Sequence, residues 1–126
     1  MKLNKSLKKI LIIDDDPVLV QGIQTVFELE NYEVECMTHG NRAFKLIAAT
    51  HPDLIVLDIK LKEQDGRDIV RQIKTHETTV DIPIILISGV DDIKESALKS
   101  GANDFIAKPF SVNELLKRAE RQLHPR

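Results

Sequence analysis

The stretch KKILIIDDDP, residues 8–17, decides how this chain is read. Two lysines lead into the apolar run 10–13, which ends on Asp14, Asp15 and Asp16 before Pro17. A continuous apolar run of that length suits a strand buried on both faces, as in a parallel sheet. Like charges about 4 Å apart repel by ~4 kcal/mol at the effective dielectric near a protein surface. Three carboxylates at the end of a buried strand therefore need an offset: water, a helix N-terminus, a lysine or a metal ion.

Apolar runs of the same kind recur at 54–57 and 84–87, and weaker ones at 32–37 and 105–107. Amphipathic stretches lie between them. Asp16 can cap a helix with Pro17 at its first position, placing Leu19, Ile23, Val26 and Phe27 on one face. The stretch 41–49 turns Ala43, Phe44, Ile47 and Ala48 inward, and 67–75 does so with Ile69, Val70 and Ile73. The stretch 91–100 carries Ile93, Ala97 and Leu98, with Gly101 as a C-terminal stop. Ser111 and Glu114 form a capping box that opens a last helix with Leu115, Leu116, Ala119 and Leu123. Five strands alternating with five helices predict an α/β fold: a doubly wound five-stranded parallel sheet with helices on both faces. The flavodoxin-like order 2-1-3-4-5 is the natural one, over a single domain spanning 1–126. It puts a site at the carboxyl ends of the first and third strands, where the aspartates sit.

Bulk properties narrow the classes. With 126 residues, the chain is long enough to bury a real core. Hydrophobic residues make up 42% and charged residues 30%, the mix of a globular protein. A net charge of −2 gives no basic face for direct nucleic-acid binding. The basic start is followed by too short an apolar run for a signal peptide or a membrane span. Cys36, the single cysteine, points to a reducing compartment, and so to the cytoplasm. It reads as a small buried hydrophobe.

The other strand ends are as polar as the first. The third closes on Asp58, the fourth on Ser88 and the fifth on Lys108. Each alone is an ordinary turn or surface residue. Together with Asp14 and Asp15 they converge on one rim if the topology holds. Two or three carboxylates with room for water describe a Mg²⁺ site. A lysine and a hydroxyl beside them match the groups needed around a phosphoryl, and a carboxylate can itself take a phosphoryl as nucleophile.

The motifs ILIIDDDP, PDLIVLDIKLKEQDG, PIILISG and GANDFIAKPF, in that order over nearly the whole length, resemble the receiver domain of two-component response regulators. The resemblance implies a signalling domain rather than an enzyme. It implies that Asp14 and Asp15 form the acidic pair for Mg²⁺, with Asp15 the direct ligand and the backbone carbonyl of Lys60 completing the shell. Asp58 then contributes to the metal site and accepts the phosphoryl from a phosphohistidine on a sensor histidine kinase or phosphotransfer protein. Ser88 and Lys108 bind the phosphoryl oxygens. Ser88 and Phe105 form a switch, Phe105 turning inward as Ser88 moves toward the phosphoryl. A downstream effector, or a second copy, would read the surface of the fourth helix, fifth strand and fifth helix. The Lys108–Pro109 bond is expected to be cis.

The chain departs from the pattern at Lys62, where relatives usually have proline, so the loop 60–66 is expected to be more mobile. Lys60 and Val90 sit at positions whose side chains flank the phosphoryl group in members of the family the chain resembles, and Gly89 is expected to leave the mouth of the pocket open. His39, His51, His76 and His124 are scattered without ligand spacing and are given no role. Three rivals remain. A haloacid-dehalogenase-like phosphatase would use Asp14 with Asp16, Ser88 and Lys108, but leaves Asp58 idle. A nucleotide- or flavin-binding module would want a glycine- or hydroxyl-rich first turn, which three aspartates contradict. A receiver-shaped module that is never phosphorylated would carry an intact site for no purpose.

Overall fold

A computed structural model describes residues 7–89 and 94–125. The chain runs β1 (Lys9–Ile13), α1 (Pro17–Leu29), β2 (Glu33–Met37), α2 (Ala43–Thr50) and β3 (Leu54–Asp58). Two short strands, β4 (Lys60–Leu61) and β5 (Gln64–Asp65), lead into α3 (Gly66–Lys74). Then come β6 (Ile84–Ser88), α4 (Lys94–Lys99), β7 (Asp104–Ala107) and α5 (Val112–Leu123). The main sheet is parallel and ordered β2-β1-β3-β6-β7. Leaving out the β4–β5 hairpin, that is the expected flavodoxin-like order.

Strand alternation divides the core in two. Leu11, Ile13, Ile55, Leu57, Ile84, Leu86 and Phe105 face one side, covered by α2, α3 and α4 through residues such as Ile47, Ile69, Ile73 and Ala97. Ile10, Ile12, Val56, Ile85, Ile87 and Ile106 face the other, covered by Ile23 and Phe27 of α1 and by Leu115, Ala119 and Leu123 of α5. All five residues of β3 and of β6 are buried, which accounts for their unbroken apolar sequence.

The caps also form largely as expected. Asp16 accepts from the backbone N–H groups of Val18 and Leu19, with Pro17 opening α1. Ser111 Oγ accepts from the Glu114 N–H at 3.0 Å. The Glu114 carboxylate, however, accepts from Arg118 Nη2 at 3.3 Å and so turns along the helix face. Beyond α4, Gly101 takes φ +112°, the left-handed stop its position suggested.

Several inward assignments need correction. Ala48 is exposed, and α2 buries Ala43 and Ile47 alone. Leu98 is 42% exposed, because α4 turns Ala97 to the core. On α1, Val20 is buried, whereas Leu19 and Val26 are only partly covered. Cys36 is half-buried and donates to Gln24 Oε1 at 3.4 Å, so it is not a plain core hydrophobe. Val90 and Ile93 lie outside the described residues, as does the start expected for the fourth helix.

Candidate acidic phosphoryl and metal site

The sheet order sets β1 beside β3, so the residues that end these strands become neighbours. Ile13 pairs with Leu57, which puts Asp14 and Asp58 side by side at one edge. Asp15 turns in from the same edge, and the carboxylates of Asp14, Asp15 and Asp58 each offer an oxygen within 4.8 Å of the others. β6 and β7 bring up the remaining groups. Ser88 pairs with Ala107, and the Lys108 N–H donates to the Ser88 carbonyl at 2.6 Å. Lys108 Nζ then reaches Asp58 Oδ2 at 3.4 Å and Asp14 Oδ2 at 3.9 Å. The Lys108–Pro109 bond is cis.

The arrangement is electrostatically costly. Asp14 is fully buried and Asp58 is 4% exposed. Burial raises Asp14 to about 6, opposed by the Asp16 N–H on its Oδ1 at 2.9 Å and reinforced by the neighbouring Asp58 charge. Burial also raises Asp58, against the pull of Lys108 and of the Lys60 N–H on its Oδ1 at 3.2 Å. Asp14 Oδ2 has no hydrogen-bond donor. One lysine does not neutralise three carboxylates, and an unbonded buried carboxylate oxygen facing two more acids is a donor set suited to a hard divalent cation. The residues present therefore fit Mg²⁺.

The phosphatase reading fits poorly. Asp16 spends its carboxylate on the α1 cap and is exposed, whereas Asp14 points into the buried cluster. The pair Asp14 and Asp16 thus does not converge. Among the described residues, an added Cβ at Gly89 would meet Lys108 Cβ at 4.0 Å, an ordinary contact. Phe105, at 7% exposure, is already packed in the core beneath this rim. The four histidines are exposed, and Asp14, Asp15 and Asp58 form the metal-competent group among the described residues.

The hairpin that follows Asp58 was not legible in the sequence. Lys60 pairs with Asp65 and Leu61 with Gln64, so the stretch expected to be mobile carries an antiparallel ladder. Its turn passes through Lys62 and Glu63, with Glu63 at φ +63°. No glycine or asparagine marks that turn. Gly66 closes the loop: its N–H donates to the Ile59 carbonyl at 2.7 Å, and an added Cβ would overlap the Asp58 carbonyl oxygen.

Comparison with known proteins shows the family. The model of the response regulator receiver domain matches residues 10–120, and the chain belongs to that family. It is similar to the regulatory protein AtoC of Escherichia coli strain K12, at 33% identity over 94% of this chain and 26% of that protein. It is similar also to the phosphate regulon transcriptional regulatory protein PhoB of Pseudomonas aeruginosa, at 39% identity over 92% of this chain and 52% of that protein. The chain thus spans between a quarter and about half the length of these curated relatives. Among solved structures, the receiver domain of the Francisella response regulator 1452 superposes with a TM-score of 0.84 at 31% identity, covering 92% of this chain and 96% of that one. The chain is therefore a receiver domain of the response regulators, a signalling domain. Among the described residues, no helix is long and apolar enough to cross a membrane.

Proposed function

We propose that Asp58 is the phosphoacceptor of this receiver, and that Asp14, Asp15, Asp58 and the backbone carbonyl of Lys60 hold Mg²⁺ beside it. The observation that carries this reading is the buried three-carboxylate cluster with an unbonded Asp14 oxygen and Lys108 at its side. When bound, Mg²⁺ neutralises charge on the carboxylates and on the incoming phosphoryl oxygens. The chain's own groups do the rest. A carboxylate oxygen of Asp58 attacks the phosphorus of a donor phosphohistidine in line. The phosphorus–nitrogen bond breaks, its electron pair leaves with the imidazole nitrogen, and an acyl phosphate remains on Asp58. Lys108 and Ser88 hold the phosphoryl oxygens, Lys108 by charge and Ser88 by its hydroxyl proton.

The donor in this reading is a sensor histidine kinase or a histidine phosphotransfer protein, and the setting is cytoplasmic. Ser88 moves toward the phosphoryl group and Phe105 shifts further under β6. The face formed by α4, β7 and α5 changes, and an effector protein or domain, or a second copy of the chain, responds. Exposed Leu98 and the Arg118–Asp104 pair at 2.9 Å lie on that face.

Incubation with acetyl phosphate and Mg²⁺, followed by intact mass, tests the acceptor. The parent chain gains one phosphoryl group, lost again in mild base as hydroxide cleaves the acyl phosphate, and Asp58→Asn gains none. A stable adduct on Asp58→Asn would overturn the assignment, and one mapped to Asp14 would revive the phosphatase reading.

A further inference from the structure

One arginine ties the hairpin behind Asp58 to a distant helix. Asp65, paired with Lys60 across β4 and β5, caps α3 by accepting from the Arg67 N–H at 2.8 Å. The Arg67 side chain grips the same carboxylate with two prongs, Nε to Oδ1 at 3.0 Å and Nη2 to Oδ2 at 2.6 Å. Such a fork fixes direction as well as distance. The third nitrogen, Nη1, donates to Ser96 Oγ of α4 at 2.9 Å. The nearby acid Asp68 does not compete, since it is paired with Arg71 at 2.6 Å. A lysine, a single point charge on a flexible stem, could hold Asp65 or reach Ser96 but lacks the fork that does both.

At the far end of this chain of contacts lies α4. Its described part spans six residues, and among 95–99 only Ala97 is buried. Glu95 and Lys99 pair with each other on the exposed side. In this described part a charge-assisted hydrogen bond to Ser96 contributes directly to the position of the helix. At the near end, the Lys60 N–H donates to Asp58 Oδ1, so the first link touches the acceptor carboxylate itself.

We infer that Arg67 is a positioning residue that couples the loop carrying Lys60 to α4, so that a phosphoryl group on Asp58 moves α4 through Ser96. The inference rests on the proposed acceptor role of Asp58. The links run from Asp58 to the Lys60 N–H, across the Lys60–Asp65 ladder, through the Asp65 carboxylate to Arg67, and on to Ser96. Each is a direct contact. The physical warrant for coupling is a response that disappears when one link is cut.

Hydrogen–deuterium exchange of the peptide covering α4 reads that response in the full chain, with Mg²⁺ alone and with Mg²⁺ plus beryllofluoride as the phosphoryl probe. Labelling of Asp58 by acetyl phosphate is measured in parallel. In the parent, the probe changes α4 exchange at least threefold. Ser96→Ala loses that change while labelling at a rate within twofold of the parent. Arg67→Ala loses the change and labels at least fivefold more slowly, because Asp65 and the hairpin are released. Arg67→Lys recovers most of the labelling rate but not the α4 response. A parent-like α4 response in Ser96→Ala and Arg67→Lys overturns the coupling and leaves the acceptor assignment standing. So does a labelled parent whose α4 ignores the probe. A parent that is never labelled at Asp58 overturns both.

Discussion

Asp14 has one carboxylate oxygen on the Asp16 N–H and the other without a donor, both out of reach of solvent. Its carboxyl is raised to about 6, so ionising it in the folded chain costs on the order of 3 kcal/mol. The sign follows from linkage. A carboxyl raised on folding contributes stability that is fully present below its unfolded value, near 4, and is lost as pH rises through about 6. Asp58 is shifted in the same direction by burial, and Asp65 in the opposite one by Arg67. Without divalent cation at pH 7.5, Asp14→Asn should therefore unfold roughly 3–8 °C above the parent. The gap should close toward pH 4, where the parent is protonated too. Thermal unfolding followed by circular dichroism checks both, and a variant less stable than the parent at pH 7.5 would show that the buried charge is not costly. A cation relieves the same repulsion. Mg²⁺ at a hundredfold its dissociation constant should stabilise the parent by about 2.7 kcal/mol, and Asp14→Asn far less.

At the scale of elements, the loop after β3 gives the sharpest expectation. Gly66 has no room for a side chain, because the nearest atoms to an added Cβ are backbone atoms of Asp58 and Ile59, which cannot rotate away. Gly66→Ala should cost about 2–4 kcal/mol in urea unfolding and slow Asp58 labelling along with it. A neutral outcome would mean that the hairpin yields easily, and would weaken the link through Asp65. Sequence reading reached most elements, for reasons visible in particular residues. The Asp16–Pro17 pair marks the start of α1, Gly101 marks the end of α4, and the unbroken apolar runs mark β3 and β6. It failed where signals are weak. The β4–β5 ladder is two residues long and turns through Lys62 and Glu63, residue types that do not announce a turn. Ala48 and Leu98 satisfy a helical spacing, but small rotations of short helices send them outward.

For the molecule as a whole, the sheet is both the main core and the device that assembles the site. Ile12 and Ile55 are fully buried on opposite faces, and truncating either to alanine should cost about 2–5 kcal/mol in denaturant unfolding. Labelling of Asp58 should persist in whatever fraction stays folded. A much smaller loss on one face would mean that its helices are loosely packed. The convergence of Asp14, Asp15, Asp58, Ser88 and Lys108 was legible because it needs only strand order and strand ends. The bond between Arg67 and Ser96 was not, because 29 residues separate the partners and no local pattern links them. The central claim is that the acids ending β1 and β3 share a divalent cation so that Asp58 can carry a phosphoryl group. A crystal structure with Mg²⁺ and beryllofluoride tests it most directly. The account predicts beryllium on an Asp58 oxygen, its fluorides on Ser88 and Lys108, and the metal on Asp15, Asp58 and the Lys60 carbonyl. Beryllofluoride on another residue, or a metal away from these three, would contradict it.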